Sequence, residues 1–292
     1  MNLQQVACPR PPDRPADGHK GTFGRVLLIG GSVGMSGSIA LSARAALRAG
    51  SGLVTVAVPQ SIQAIVAAME ACYMTVGLPS ATDGSVDSCS LDRVRELATG
   101  FDAIGIGPGL GQSAGAASLL RSVVAEADCP LVLDADALNL IARHQMLCDG
   151  QPGKHTRVMT PHPGEFARLS GLSMSDIAAD REQVAARFAD ESQSIVVLKG
   201  AGTIVTDGQQ IFVGRTGNSG MGTGGSGDVL TGIITSLIGQ GMNPFSAAAL
   251  GVHVHGLSGD IAAEAISQRA LTANDLVETL GAAWLTLADE AI

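Results

Sequence analysis

Asp228 closes a glycine run, AsnSerGlyMetGlyThrGlyGlySerGlyAspValLeuThrGly over 218–232, and opens an apolar stretch with helical character. A carboxylate placed there can take a proton from an attacking hydroxyl. Backbone N–H groups of residues 225–228, exposed at a helix start, can hold the charge of a transferred phosphoryl group. Gly225, Ser226 and Gly227 are therefore expected to form an anion hole with Asp228 as the base at its edge. The run is not a Walker A motif, because no Gly-Lys-Ser/Thr follows. The plain alternative is a flexible loop with Asp228 as a helix N-cap. Glycine in this quantity weakens a fold unless it is used, which favours the site.

Other residues could serve the same chemistry. His162 lies between two prolines in ThrProHisProGlyGlu (160–165), which restrict its backbone and suit a positioned donor or acceptor. Pro163 or Gly164 is expected to open a helix. Lys199 ends a strand in LysGlyAlaGlyThr (199–203) and can meet a phosphate as a point charge. Asp134 and Asp136 stand two apart after a strand, which would turn them to opposite faces. Joint metal binding is not expected of them. Asp136 suits a helix N-cap, and either could orient Mg²⁺ through water. His253 and His255 do not share a helical face, and no third ligand is visible. The metal ligands are thus left unassigned. The five cysteines (8, 72, 89, 129 and 148) form no CxxC pair and read as small buried hydrophobes in a reducing, cytoplasmic setting.

These residues need elements to hold them. Short apolar runs, among them 26–29, 53–58, 103–106, 131–134, 157–160 and 195–199, alternate with Ala-rich helical stretches at 38–48, 62–71 and 116–125. Strands apolar throughout and separated by helices imply an α/β fold, with a mainly parallel sheet covered by helices on both faces. Residues 203–213 read as a β-hairpin turning at Asp207-Gly208. Eighteen of the 38 glycines fall within 18–37, 105–111 and 214–227. Each cluster leads into a helix start, and two follow a strand directly. Ligands of open α/β sheets bind at such strand ends. One domain over 19–292 is expected, preceded by a proline-rich arm over 1–18.

The net charge of −9 argues against nucleic acid or anionic membranes as partners. The uncharged stretch 229–259 is long enough to span a bilayer, but Gln240, Asn243 and Pro244 break it. Two buried helices joined by a turn are expected, with no membrane span. The N-terminus lacks the apolar core of a signal peptide. Only eight residues are aromatic, so ligand rings are expected to meet aliphatic walls and backbone.

Taken in order, HisLysGlyThrPheGlyArgVal, GlyGlySer…SerGlySer, GlyProGlyLeuGly, LeuAspAlaAspAlaLeuAsn, ThrProHisProGlyGlu, LeuLysGlyAlaGlyThrIleVal and GlyThrGlyGlySerGlyAspValLeuThrGly resemble the ADP-dependent NAD(P)H-hydrate dehydratases. The likeness runs from about His19 to the C-terminus. It implies a ribokinase-like fold and a repair reaction on NADHX or NADPHX, reduced dinucleotides with water added across a ring double bond. ADP phosphorylates the hydroxyl of the S-epimer; phosphate leaves, giving NADH or NADPH and AMP. Mg²⁺ as cofactor and a homo-oligomer, a tetramer, are implied as well. By this resemblance Asp228 is the base and contacts the hydrate, as do Ser38, Gly109 and His162. Lys199, Gly200, Ala201, Gly202, Thr203 and Gly227 contact the adenine nucleotide. The family usually has Ala where Ser38 stands. Many relatives carry an epimerase domain first; with only about 18 residues before His19, no epimerase activity is expected here. A small-molecule kinase of the same fold, acting on hydroxyethylthiazole or a pyridoxine precursor, is the competing expectation. A silent nucleotide-binding protein is disfavoured by the intact Asp228 loop.

Overall fold

The computed structural model describes residues 3–97, 99–146 and 154–290. Cys148, one of the cysteines read from the sequence, lies outside them. The first half of the chain runs β1 (Gln4–Gln5), β2 (Arg25–Ile29), α1 (Ser36–Arg48), β3 (Leu53–Pro59), α2 (Gln60–Ala67), β4 (Met74–Leu78), α3 (Leu91–Leu97), β5 (Ala103–Ile106), α4 (Ala114–Glu126), β6 (Leu131–Leu133) and α5 (Asp136–His144). The second half runs β7 (Arg157–Met159), α6 (Pro163–Ser170), α7 (Met174–Ala179), α8 (Arg181–Ser192), β8 (Ile195–Leu198), β9 (Ile204–Thr206), β10 (Gln210–Val213), α9 (Ser226–Gly239), α10 (Pro244–Ile266) and α11 (Ala273–Glu290).

The strands form one sheet in the order β1-β10-β9-β8-β7-β6-β5-β2-β3-β4. Pairing is parallel from β4 across to β8; only β9 pairs antiparallel with its neighbours on both sides. Alternate strand residues face opposite layers. Val26 and Leu28 pack with α1, α9, α10 and α11, while Leu27 and Ile29 pack with α4, α5 and α8. Burial on both faces is why the strands read as unbroken apolar runs instead of alternating ones.

The 203–213 hairpin forms as read, with Ile211 opposite Thr206. The uncharged stretch becomes α9 and α10 joined by a turn, and no helix among the described residues is long and apolar enough to cross a membrane. Three readings shift. The helix expected over 62–71 starts at Gln60 and ends at Ala67. Strand β4 was not legible, because this edge strand keeps Met74 exposed and its next three residues only half-buried. Within the proline-rich segment, Gln4 and Gln5 add an edge strand parallel to β10, and Arg14 donates to the Gly50 carbonyl and stacks on Phe23.

Helices α1 and α9 cross closely. A side chain at Gly232 would strike the Ser42 carbonyl oxygen, so glycine there permits the approach. The consequence is positional: the first turns of both helices meet beside the carboxyl ends of β2, β5 and β6.

Candidate active site

A cavity of about 740 Å³ lies at the carboxyl ends of the central strands, where an open α/β sheet takes its ligands. The loops after β6, β7 and β8, the 214–223 segment and the first turn of α9 wall it. Among the described residues no Phe, Tyr or Trp side chain lines it.

Asp228 occupies the third position of α9, after an N-cap at Gly225 whose φ of +90° suits glycine. It is therefore not the N-cap. Its carboxylate accepts from Ser38 Oγ at 2.7 Å, and its carbonyl from Ser42 Oγ at 2.8 Å. Only 9% of the residue is exposed. Burial, reinforced by the neighbouring Asp134 carboxylate, pushes its pKa up to about 7 against the opposing pull of Ser38 and Lys199. A base so tuned accepts a proton near neutrality.

The residues expected to form an anion hole stand differently toward the cavity. Ser226 and Gly227 line the cavity, but Gly225 turns toward Leu41 and Ala273. The Ser226 N–H leans to the Thr223 carbonyl at 3.4 Å. Gly227 and Asp228 hold the second and third positions of α9, where a helix offers its N–H groups no acceptor. A cation stands directly opposite: Lys199 Nζ would sit 3.0 Å from a Cβ at Gly227.

Lys199 is anchored from behind. Nζ lies 2.8 Å from Asp134 Oδ1 and 3.9 Å from Glu165 Oε2. Thr231 Oγ1 donates to the other Asp134 oxygen at 2.7 Å. Burial by itself would lower the pKa of Lys199; the two carboxylates outweigh it and hold the pKa above its ordinary value. Burial raises that of Glu165, with Lys199 opposing. The strand geometry separates the two aspartates as expected: Asp134 faces this cluster, whereas Asp136 accepts from the Gly111 N–H at 2.8 Å. Asp136 is the first residue of α5 and not its cap. The N-cap is Ala135, held at φ +49° and ψ −117°, a conformation L-residues avoid.

His162 is the N-cap of α6, which opens at Pro163. Nδ1 accepts from the N–H groups of Gly164 and Glu165, and Glu165 returns a bond to the His162 N–H at 2.8 Å. This capping box fixes the ring, leaving Nε2 as the protonated nitrogen. His162 thus lines the cavity in a set orientation. His255 also lines it, and does not form a metal site with His253. Its Nε2 donates to the Ser226 carbonyl at 2.9 Å, and burial drives its pKa down to about 4, so the ring is neutral. Among the described residues no group of three or more His, Cys, Asp or Glu could hold a metal ion.

The remaining expected residues fall in two places. Lys199, Gly200, Ala201, Gly202 and Thr203 form one wall of the cavity. Ser38 and Gly109 lie behind Asp228, outside that wall; a Cβ at Gly109 would sit 3.1 Å from that of Ser38. Glu165, Thr231 and His255 received no such role from the sequence. Glu165 had a readable signal, a Glu three residues after a candidate cap. Thr231 had one too, a hydroxyl one helical turn from Asp228 within an apolar helix.

The chain is similar to known proteins in sequence and fold. Residues 26–281 match the NAD(P)H-hydrate dehydratase family. The bifunctional NAD(P)H-hydrate repair enzyme of Moorella thermoacetica is 46% identical over 271 residues, covering 92% of this chain and 51% of that protein. The chain spans about half the length of such bifunctional relatives. The ADP-dependent (S)-NAD(P)H-hydrate dehydratase of Neisseria meningitidis serogroup B is 38% identical, covering 86% of this chain and 81% of its own. A crystal structure of the ADP/ATP-dependent NAD(P)H-hydrate dehydratase of Bacillus subtilis, grown with ATP and Mg²⁺, superposes with a TM-score of 0.82 at 29% identity over 94% of each chain.

Proposed function

The chain belongs to the NAD(P)H-hydrate dehydratase family, and on that premise we propose that it dehydrates the S-epimer of NADHX and NADPHX. ADP is consumed; NADH or NADPH, AMP and phosphate are the products. The observation that carries this reading is the convergence on Gly227. Asp228, a base with a pKa near 7, the Lys199 ammonium and two unengaged first-turn N–H groups meet around a residue with no side chain.

In this mechanism Asp228 takes the proton of the ring hydroxyl as its oxygen attacks the terminal phosphorus of ADP. AMP is displaced. The N–H groups of Gly227 and Asp228 and the Lys199 ammonium hold the charge on the passing phosphoryl group. Hydroxide is a poor leaving group and phosphate a good one. The C–O bond then breaks with loss of the neighbouring ring-carbon proton, which restores the double bond and releases phosphate. The 199–203 loop takes the AMP part of the donor. His162, with the Gly109–Ser38 edge, takes the hydrate.

Mg²⁺ fits this site only in part through the protein. Asp134 already serves Lys199 and Thr231, so an ion there would share its carboxylate with them and take its remaining ligands chiefly from nucleotide phosphates and water. When bound it would supply charge neutralisation on the phosphates. We further infer a single catalytic domain over 19–292, a cytoplasmic setting, a homotetramer, and ADP as the preferred donor over ATP.

The test is a repair assay on confirmed S-hydrate with Mg²⁺, run in parallel with ADP and ATP. Recovery of reduced nicotinamide with stoichiometric free phosphate is expected. Accumulation of a phosphorylated product would instead mark a kinase, and no recovery with either nucleotide would overturn the reading. Equal or faster turnover with ATP would overturn the donor preference.

A further inference from the structure

Arg181 is the first residue of α8 and does not line the cavity; the 199–203 loop stands between them. Its guanidinium binds that loop from behind at three carbonyls. Nη1 donates to Ala201 O at 2.6 Å, and Nη2 to Leu198 O at 3.2 Å and Lys199 O at 3.3 Å. The approach is so close that a Cβ at Gly200 would sit 3.0 Å from Nη2, and Gly200 takes a φ of +142°. Arg181 Nε is buried with no acceptor among the described residues. The side chain is thus committed to these carbonyls at the expense of its own third donor direction.

The carbonyls determine where the amides point. In a trans peptide the N–H lies opposite the C=O of the same unit. With three carbonyls drawn toward Arg181, the N–H groups of Lys199, Gly200 and Gly202 face away from it. Two of these are accounted for: Lys199 donates to the Pro161 carbonyl at 2.9 Å, and Gly200 to Thr203 Oγ1 at 3.3 Å. The Gly202 N–H is left directed to the cavity side of the loop. The peptide after Lys199 is also locked, and this fixes the root of the side chain that carries the ammonium to Gly227.

We propose that Arg181 is a positioning residue for the nucleotide donor: by gripping three carbonyls it turns the 199–203 loop so that backbone N–H and Lys199 receive the donor phosphates. The inference rests on the reading of that loop as the nucleotide wall. It concerns ground-state binding of the donor. Loss of Arg181 should therefore raise the KM for ADP and leave kcat nearly intact, because Asp228 and the first turn of α9 are untouched and the Lys199 ammonium keeps its own anchors, Asp134 and Glu165.

The experiment measures ADP binding by calorimetry and repair kinetics for the wild type, Arg181→Ala and Arg181→Lys. For Arg181→Ala a rise in both Kd and KM of tenfold or more is expected, with kcat within threefold. Added guanidinium should recover most of the affinity in the alanine variant and none in the wild type, a response that a general loss of packing would not give. Arg181→Lys should fall between, as one ammonium cannot span three carbonyls. If the alanine variant does not fold, the KM-against-kcat split in the lysine variant decides. Unchanged ADP affinity, or a fall in kcat at constant KM, overturns the proposal, as does a wild type that binds no ADP. If the wild type binds ADP but repairs no hydrate, the proposed reaction fails, while the affinity loss and its rescue still establish Arg181.

Discussion

Ser38 Oγ donates to Asp228 Oδ2 across 2.7 Å, joining the first turns of two helices 190 residues apart in sequence. Each residue holds the third position of its helix. The bond favours the ionised carboxylate and opposes the burial that raises its pKa. Removing it in Ser38→Ala should move the pKa of Asp228 further up. Repair rates should rise with pH through about 7 in the wild type, as the base form fills, and do so at a higher pH in the variant. Coincident pH–rate profiles would show that the hydroxyl does not tune the base.

Asp228→Asn should lose catalysis yet gain stability. General-base removal costs about 10²–10⁴-fold in rate. The folded pKa of about 7 exceeds the ordinary 3.8. Between those values the native state binds more protons than the unfolded one, so stability falls as pH rises through the window and stays reduced above it. The penalty has an upper bound of about 4 kcal/mol. The asparagine carries none, so its melting temperature should exceed the wild type's at pH 8, with the gap narrowing toward pH 4. Full turnover, or no gain at pH 8, would contradict the assignment.

Lys199→Met should be damaging for a second reason besides lost phosphate contact. It leaves the Asp134 and Glu165 carboxylates buried beside each other without their cation. Breaking such a pair from one side costs about 3–5 kcal/mol. Adding Asp134→Asn to Lys199→Met should recover part of that stability but no activity. Chemical denaturation of the two single variants and the double variant closes the cycle; simple additivity would mean the pair is not coupled.

Ala135 predicts a gain. Its φ of +49° with ψ −117° is unfavourable for any residue with a Cβ. Ala135→Gly should relieve about 1 kcal/mol, a rise of about 2 °C in Tm for a chain of this size. A calorimetric scan that shows a decrease would mean the unfolded-state entropy of glycine outweighs the strain.

Much of this architecture was legible because burial on both sheet faces writes itself into the sequence as apolar runs, and glycine marks the loops at their carboxyl ends. The Asp228 turn, the hairpin and the α9–α10 break were all readable on local grounds. What was not readable is long-range. Nothing local to Asp134 says that Lys199 and Thr231 will meet it, and the burial that gives Asp228 its basicity comes from packing of α1 on α9. The anion hole illustrates the limit within a single motif. A glycine run announces available N–H groups, but only the folded chain reveals that Gly227 lines the cavity while the open side of the Gly225 α-carbon meets Leu41 and Ala273. Arg181 left no local sign, because its role is set by carbonyls about twenty residues ahead. Strand β4 escaped notice for the opposite reason, its exposed edge diluting the apolar pattern.

A cavity lined, among the described residues, by no Phe, Tyr or Trp makes the protein optically quiet at its site. Its single tryptophan, Trp284, sits on α11 and donates to the Arg48 carbonyl, away from the 199–203 wall of the cavity. Intrinsic fluorescence should barely register ligand entry. By the same token, under the proposed reaction the emission of a dihydronicotinamide formed in the cavity would have no indole or phenol alongside to quench it or feed it energy. Product formation on the protein could then be followed in real time from the ligand's own light, and its transfer to bulk water read as a separate change in that signal.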